Sequence, residues 1–148
     1  MAKSDYRFFF NFRVRYSEVD GQMIVFNAHY LTYFDTAITE YFRALPYDYR
    51  EQVKRTGEDF HTVKTLVEYY GPIHFDDEIE VGVRAAKVGR TSLTFRLEIH
   101  PKGSDLCLAS GEVVWVNTDQ KSHRSVPLST QLVEKLKALD GAKMDLPA

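Results

Sequence analysis

The sequence predicts a two-layer α+β domain in which a five-stranded antiparallel sheet wraps one long amphipathic helix. Three observations carry this. Residues 28–45 repeat their apolar side chains at the helical period, residues 8–16 and 91–100 alternate at the period of a half-buried strand, and Gly- or Pro-containing turns divide the second half into four strand-length segments. A helix with one apolar stripe has to bury it, and the apolar face of a sheet is the partner that this chain provides.

Residues 8–16, FFFNFRVRY, place Phe8, Phe10, Phe12, Val14 and Tyr16 on one face and Asn11, Arg13 and Arg15 on the other, a first strand. A loop, 17–27, follows. From Ala28 to Leu45 the stripe is Tyr30, Leu31, Phe34, Ala37, Ile38, Tyr41, Phe42 and Leu45, and Pro46 ends it by withholding a backbone donor. This helix of about 17 residues is roughly 25 Å long. A weaker helical signal covers 48–56, and Gly57 opens the strand-rich half. Strands are expected at 60–70, 78–88, 91–100 and 106–118, in antiparallel succession, with Gly71-Pro72, Gly89-Arg90 and 101–105 as the turns. A last helix starts at Ser129 as N-cap, with Leu132, Val133, Leu136 and Leu139 on one side. A sheet of five strands keeps two edges, so a homodimer is the expected assembly, with a tetramer left open.

At 148 residues the chain has the size of one domain, 1–148, with 1–5 and 141–148 expected to fray. That length buries about two-thirds of the unfolded surface without a disulfide or structural metal. Nineteen basic against 21 acidic residues leave a net charge of −2, which argues against a nucleic-acid partner. One cysteine, Cys107, excludes an intrachain disulfide and a cysteine-based zinc site. No signal-peptide pattern opens the chain and no run of 18 apolar residues occurs, so no membrane span is expected and a cytoplasmic location is. Aromatic residues make up 14% of the chain, which fits a large aromatic core and does not exclude an apolar pocket or subunit interface.

The loop ahead of the long helix holds Asp20, in YSEVDGQ. A helix N-terminus presents unpaired N–H groups and a positive dipole end, and a carboxylate beside donors aimed at a carbonyl suits acyl transfer. On spacing alone, an isolated Asp in a polar loop reads as a turn residue.

The wording of the segment adds to this. The run RYSEVDGQMIVFNAHYL (15–31), continuing into YFDTA (33–37), is followed by GPIHFDDEIEV (71–81), VGRTS (88–92) and RSVP (124–127). In this order and at these intervals the segments resemble the hot-dog-fold acyl-CoA thioesterases of the 4-hydroxybenzoyl-CoA thioesterase type. The resemblance implies that fold, and hydrolysis of an acyl-CoA or acyl-carrier-protein thioester to free acid and thiol. It implies Asp20 as nucleophile or general base, and the backbone N–H of Asn27 as the donor that polarises the carbonyl. Ala28 and His29 would meet substrate at the helix entrance, and Thr91 and Ser92 would run beside the pantetheine arm. Lys87, Arg90 and Arg124 would meet the nucleotide phosphates, Arg suiting them through its two-pronged donation. The site would lie between subunits. No metal is implied, and no cofactor beyond coenzyme A as part of the substrate. Two positions depart from the family: Met23 stands where a glycine is usual, leaving open a reshaped loop, and Asn27 replaces the turn histidine of one subgroup.

Other candidates have plain structural readings. Asp35 and Glu40 suit a solvated or ion-paired helix face, and Asp76-Asp77 a turn. His61, His74, His100 and His123 read as structural or exposed, and Cys107 as a small core residue in mid-strand. Two rival functions remain. A hot-dog dehydratase or hydratase would need a His paired with an acid, and a non-catalytic acyl-CoA binding module would keep the pocket and lose hydrolysis.

Overall fold

The computed structural model describes residues 3–141, 144 and 145. Strands β1 (Phe8–Arg13), β2 (Glu58–Tyr69), β3 (Glu78–Val88), β4 (Ser92–Pro101) and β5 (Ala109–Asp119) form one antiparallel sheet. Its helices are α1 (His29–Ala44), α2 (Tyr49–Thr56) and α3 (Thr130–Asp140). The α+β class, and the hot-dog arrangement of a sheet curled about one long helix, are as expected.

The order across the sheet is β1-β3-β4-β5-β2, which corrects the expected four-strand succession. β1 occupies one edge of β3 (Phe8 opposite Val83) and β4 the other (Val83 opposite Leu97). With both edges of β3 taken, β2 pairs at the far side with β5, Glu58 opposite Asp119. β1 is also shorter than expected, because Val14 N–H leaves β3 for Asp77 C=O and a 3-10 turn begins at Tyr16. β5 starts at Ala109 and not at 106, since Leu108 N–H bonds Ile99 C=O while Leu108 C=O accepts from Tyr70 and Gly71. Cys107 therefore lies in the approach loop, not in mid-strand.

α1 buries Tyr33, Phe34, Ala37, Ile38, Tyr41 and Phe42 against the sheet, while Leu31 of the expected stripe is exposed. Phe42 stacks on Trp115 (5.6 Å between centroids), and Phe95 meets both edge-on. α2 is present, capped by Asp48 at one end and by Gly57 in the left-handed region at the other. Ser129 caps α3 through Leu132 N–H.

Of the ends expected to fray, residues 1–2, 142–143 and 146–148 lie outside the described residues. The described parts are tied down. Lys3–Asp5 form a 3-10 turn with Lys3 bonded to Glu80 and to Ser104 C=O, and Asp145 exchanges backbone bonds with Ala86 and Val88. No helix among the described residues is long and apolar enough to cross a membrane.

Asp140 docks α3. Its Oδ2 accepts from the Tyr41 hydroxyl (2.5 Å) and from Ala85 N–H (3.0 Å) at the bulge of β3. Burial raises the Asp140 carboxyl above its ordinary value, against the opposing pull of these two donors. A group raised in the folded state contributes its full stability at acid pH and loses it as pH rises through the raised value. Asp140→Asn keeps an acceptor and has no charge to bury. It is expected to show a flatter loss of stability from acid to neutral pH and to match or exceed the wild type at neutrality. Asp140→Ala leaves both donors unpaired and is expected to cost about 2 kcal/mol. Denaturant midpoints measured across pH check both.

Candidate active site

The segment between β1 and α1 is a small hairpin pinned to the rest of the fold. Glu18, only 6% exposed, anchors it. Its carboxylate accepts from Arg15 N–H (2.8 Å), from the Arg15 guanidinium and from the Tyr33 hydroxyl (3.0 Å). Burial pushes this carboxyl up, but the Arg15 and Tyr33 donors outweigh it and hold it below its ordinary value. Beyond Glu18, Val25 N–H bonds Ile73 C=O and Phe75 N–H bonds Met23 C=O, so the loop is stitched to the strand-like run 73–75.

Within this frame Asp20 closes a tight turn. Its N–H donates to Ile24 C=O, its C=O accepts from Met23 N–H, and its Oδ1 accepts from Gln22 N–H (2.8 Å). Oδ2 has no hydrogen bond among the described residues, so one carboxylate oxygen is held and the other is available. Met23 takes φ +63°. The left-handed conformation that a glycine would favour is thus adopted here by a methionine. An L side chain there costs about 1 kcal/mol, and Met23 is 43% exposed. Met23→Gly is therefore expected to raise stability by roughly 0.5–1 kcal/mol. A lowered denaturant midpoint would contradict the strain.

Asp20 lines a cleft of about 490 Å³ with Phe26, Asn27, Tyr30, Tyr69, Gly71 and Pro72. The Tyr30 and Tyr69 rings meet edge-on at 4.8 Å and form an aromatic wall. Phe26, Asn27 and Ala28 lead into α1, and no hydrogen bond among the described residues uses the N–H of Asn27 or Ala28. Those are the unpaired donors that a helix entrance leaves over. Ala28 is exposed, and His29 is half-buried against Phe26 (6.1 Å between centroids), both at the rim and not in the lining. Asp20, an aromatic wall and Asn27, whose N–H is unpaired among the described residues, thus line one concavity.

The remaining predicted residues lie elsewhere in the chain. Lys87 sits at the bulge of β3, and Arg90, Thr91 and Ser92 form the β3–β4 turn, closed by Gly89 N–H to Ser92 C=O. Arg124 is exposed nearby, since the 117–128 segment bonds to the backbone of Thr91 and Arg90. This end is the length of β3 away from Asp20, roughly 30 Å. A single chain does not unite the two groups.

Sequence reasoning did not single out Glu18, Tyr30 or Tyr69 for the site. Glu18 had a signal, its i,i+3 spacing from Arg15, whose backbone N–H and guanidinium it accepts from. Tyr69 had none, being 49 positions from Asp20. Glu40 pairs with Arg43, and the Asp76-Asp77 turn holds His74 N–H, as their structural readings required. A second cleft, about 340 Å³, lies at the other end of α1 between Phe42, Arg43, Tyr47 and Arg50. Its carboxylate, Asp48, is committed to capping α2 and to Arg50.

The sequence profile of the thioesterase superfamily matches residues 22–108, beginning two positions after Asp20, and the chain belongs to that superfamily. The acyl-CoA thioester hydrolase YbgC of Escherichia coli O6:H1 is 27% identical over 125 residues, covering 84% of this chain and 92% of that one. A thioesterase from Thermus thermophilus, solved with coenzyme A and zinc, is 29% identical and superposes with a TM-score of 0.77 over 93% of this chain and 96% of its own. The protein PA5185 of Pseudomonas aeruginosa PAO1 is 27% identical, with a TM-score of 0.82 over 93% and 94%.

Proposed function

We propose that the protein hydrolyses acyl-CoA thioesters, with Asp20 as nucleophile or general base. The observation that supports this reading is that Asp20 and Asn27, whose backbone N–H is unpaired among the described residues, line one cleft at the entrance to α1. Thioester hydrolysis needs an attacking oxygen and a donor for the developing oxyanion, and these two supply them. Ile24, Val25, Phe26, Tyr30 and Pro72 give the cleft apolar walls suited to an acyl group.

The coenzyme A portion requires a second copy. β2 is an edge strand of twelve residues, and Val63, Leu66 and Tyr69 along it are 61%, 41% and 51% exposed. An unpaired edge of this length is a template for pairing. Antiparallel pairing of β2 with its counterpart sets the Tyr69 end of one chain beside the Glu58 end of the other. That carries Asp20 of one chain toward Arg90, Arg124 and Lys87 of its partner, where the nucleotide phosphates would be held. A homodimer with two shared sites is the reading that unites all the candidate residues.

Thiol release from short, long and aromatic acyl-CoAs tests the activity. Turnover of at least one class is expected. Binding of acyl-CoA without release across the whole panel would replace the enzyme by a binding module.

A further inference from the structure

On the face of the sheet opposite α1 lies a buried polar cluster that the proposed hydrolysis does not use. Along β4, Leu93, Phe95, Leu97 and Ile99 face the helix, so Glu98 and His100 share the other face. That face is covered. Tyr6 lies over Gly82 and beside Glu98, while Lys3 bonds Ser104 C=O and so ties the chain start to the 102–108 loop. Under this cover His100 is 1% and Glu98 6% exposed, and His100 Nε2 lies 3.0 Å from a Glu98 carboxylate oxygen. The loop brings in Cys107. One ligand atom each from Glu98, His100 and Cys107 lie within 4.8 Å of one another.

We propose that Glu98, His100 and Cys107 bind one borderline transition-metal ion, zinc by its chemistry. The donor set is the first argument: a thiolate, an imidazole and a carboxylate together suit zinc and exclude the hard, all-oxygen preference of calcium and magnesium. The second, independent one is His100 Nδ1, which is buried without a hydrogen-bond partner among the described residues. His100 Nε2 faces Glu98, so Nδ1 is the ring nitrogen left over, and since buried polar atoms are almost always paired, it calls for an ion or a water. A tetrahedral ion holds its ligand atoms about 3.3–3.6 Å apart, so the cluster closes by roughly an ångström. Cys107 has the freedom for this, because it stands in a loop, where its thiol donates to Ala109 C=O (3.2 Å) beside the Glu98 carboxylate. On binding, the thiol proton passes to solvent and the sulfur enters as thiolate. The expectation that a single cysteine leaves no zinc site counts sulfurs alone, whereas folding adds nitrogen and oxygen ligands to it. Three protein ligands leave a fourth position for water, and the ion would clamp the 102–108 loop to β4.

Cobalt titration of the chelator-treated full-length protein tests this independently of any thioesterase activity. As the chain has one cysteine, a near-ultraviolet thiolate-to-cobalt band can only report Cys107. The band is expected to saturate at one equivalent, to vanish when zinc is added, and to accompany a rise of a few degrees in unfolding temperature with excess zinc. His100→Gln, which keeps the thiol, is expected to weaken cobalt binding at least about a hundredfold while its far-ultraviolet spectrum stays native. Cys107→Ser should lose the zinc-induced thermal shift, and His74→Gln should leave every readout unchanged. Absence of the band at one equivalent overturns the site, as does an undiminished band in His100→Gln or an undiminished thermal shift in Cys107→Ser.

Discussion

Gly111→Val is expected to destabilise the fold by about 3 kcal/mol or more, the largest loss of any single substitution considered. A Cβ at this position would sit 2.1 Å and 2.6 Å from carbons of the Phe34 ring and 2.9 Å from the Leu66 carbonyl. None of these neighbours can move aside. Phe34 is fully buried at the centre of α1, and β5 is held at Gly111 by Leu97 on one side and Val67 on the other. The strand therefore cannot slide, and the helix would have to lift. Because Phe34 stands one turn beyond Tyr30, lifting α1 would also disturb the cleft. Denaturant midpoints measure the loss, and Gly111→Ala combined with Phe34→Leu should recover part of what Gly111→Ala alone removes. A loss under about 1 kcal/mol in Gly111→Val would mean that helix and sheet are not in contact there.

Asp20→Asn is expected to lower turnover on the order of a hundredfold or more while acyl-CoA binding changes little. The substitution is nearly isosteric, and an amide oxygen can still accept the Gln22 N–H that holds Oδ1, so the turn survives. What it removes is the negative oxygen that attacks the thioester carbonyl or takes the proton from water. The apolar walls and the Asn27 N–H are left in place, so substrate should still bind. A fall in binding as large as the fall in turnover would make Asp20 a positioning residue instead. Undiminished turnover would move the reacting group elsewhere, with His29 at the cleft rim the next to test.

The parts of this structure that were legible in the sequence are those set by local pattern. α1 follows its apolar stripe to within a residue at either end, and β3 spans 78–88 as expected. The order of strands was not legible, because alternation records which face of a strand is buried and not which edge remains free. β2 joins β5 only because β1 and β4 have taken both edges of β3. The site divides in the same way. Asp20 and Asn27 stand seven positions apart, and their relation to the helix entrance can be read along the chain. Tyr69 reaches the cleft only through sheet pairing. The Glu98–His100 spacing did carry a signal, two residues on one face of a strand, but Cys107 meets them only where the 102–108 loop folds back.

The most direct test of the central claim is thiol release and equilibrium acyl-CoA binding, measured side by side on the wild type and Asp20→Asn. A carboxylate that performs the chemistry predicts comparable binding by both proteins and rapid release by the wild type alone. Equal release by both would contradict it.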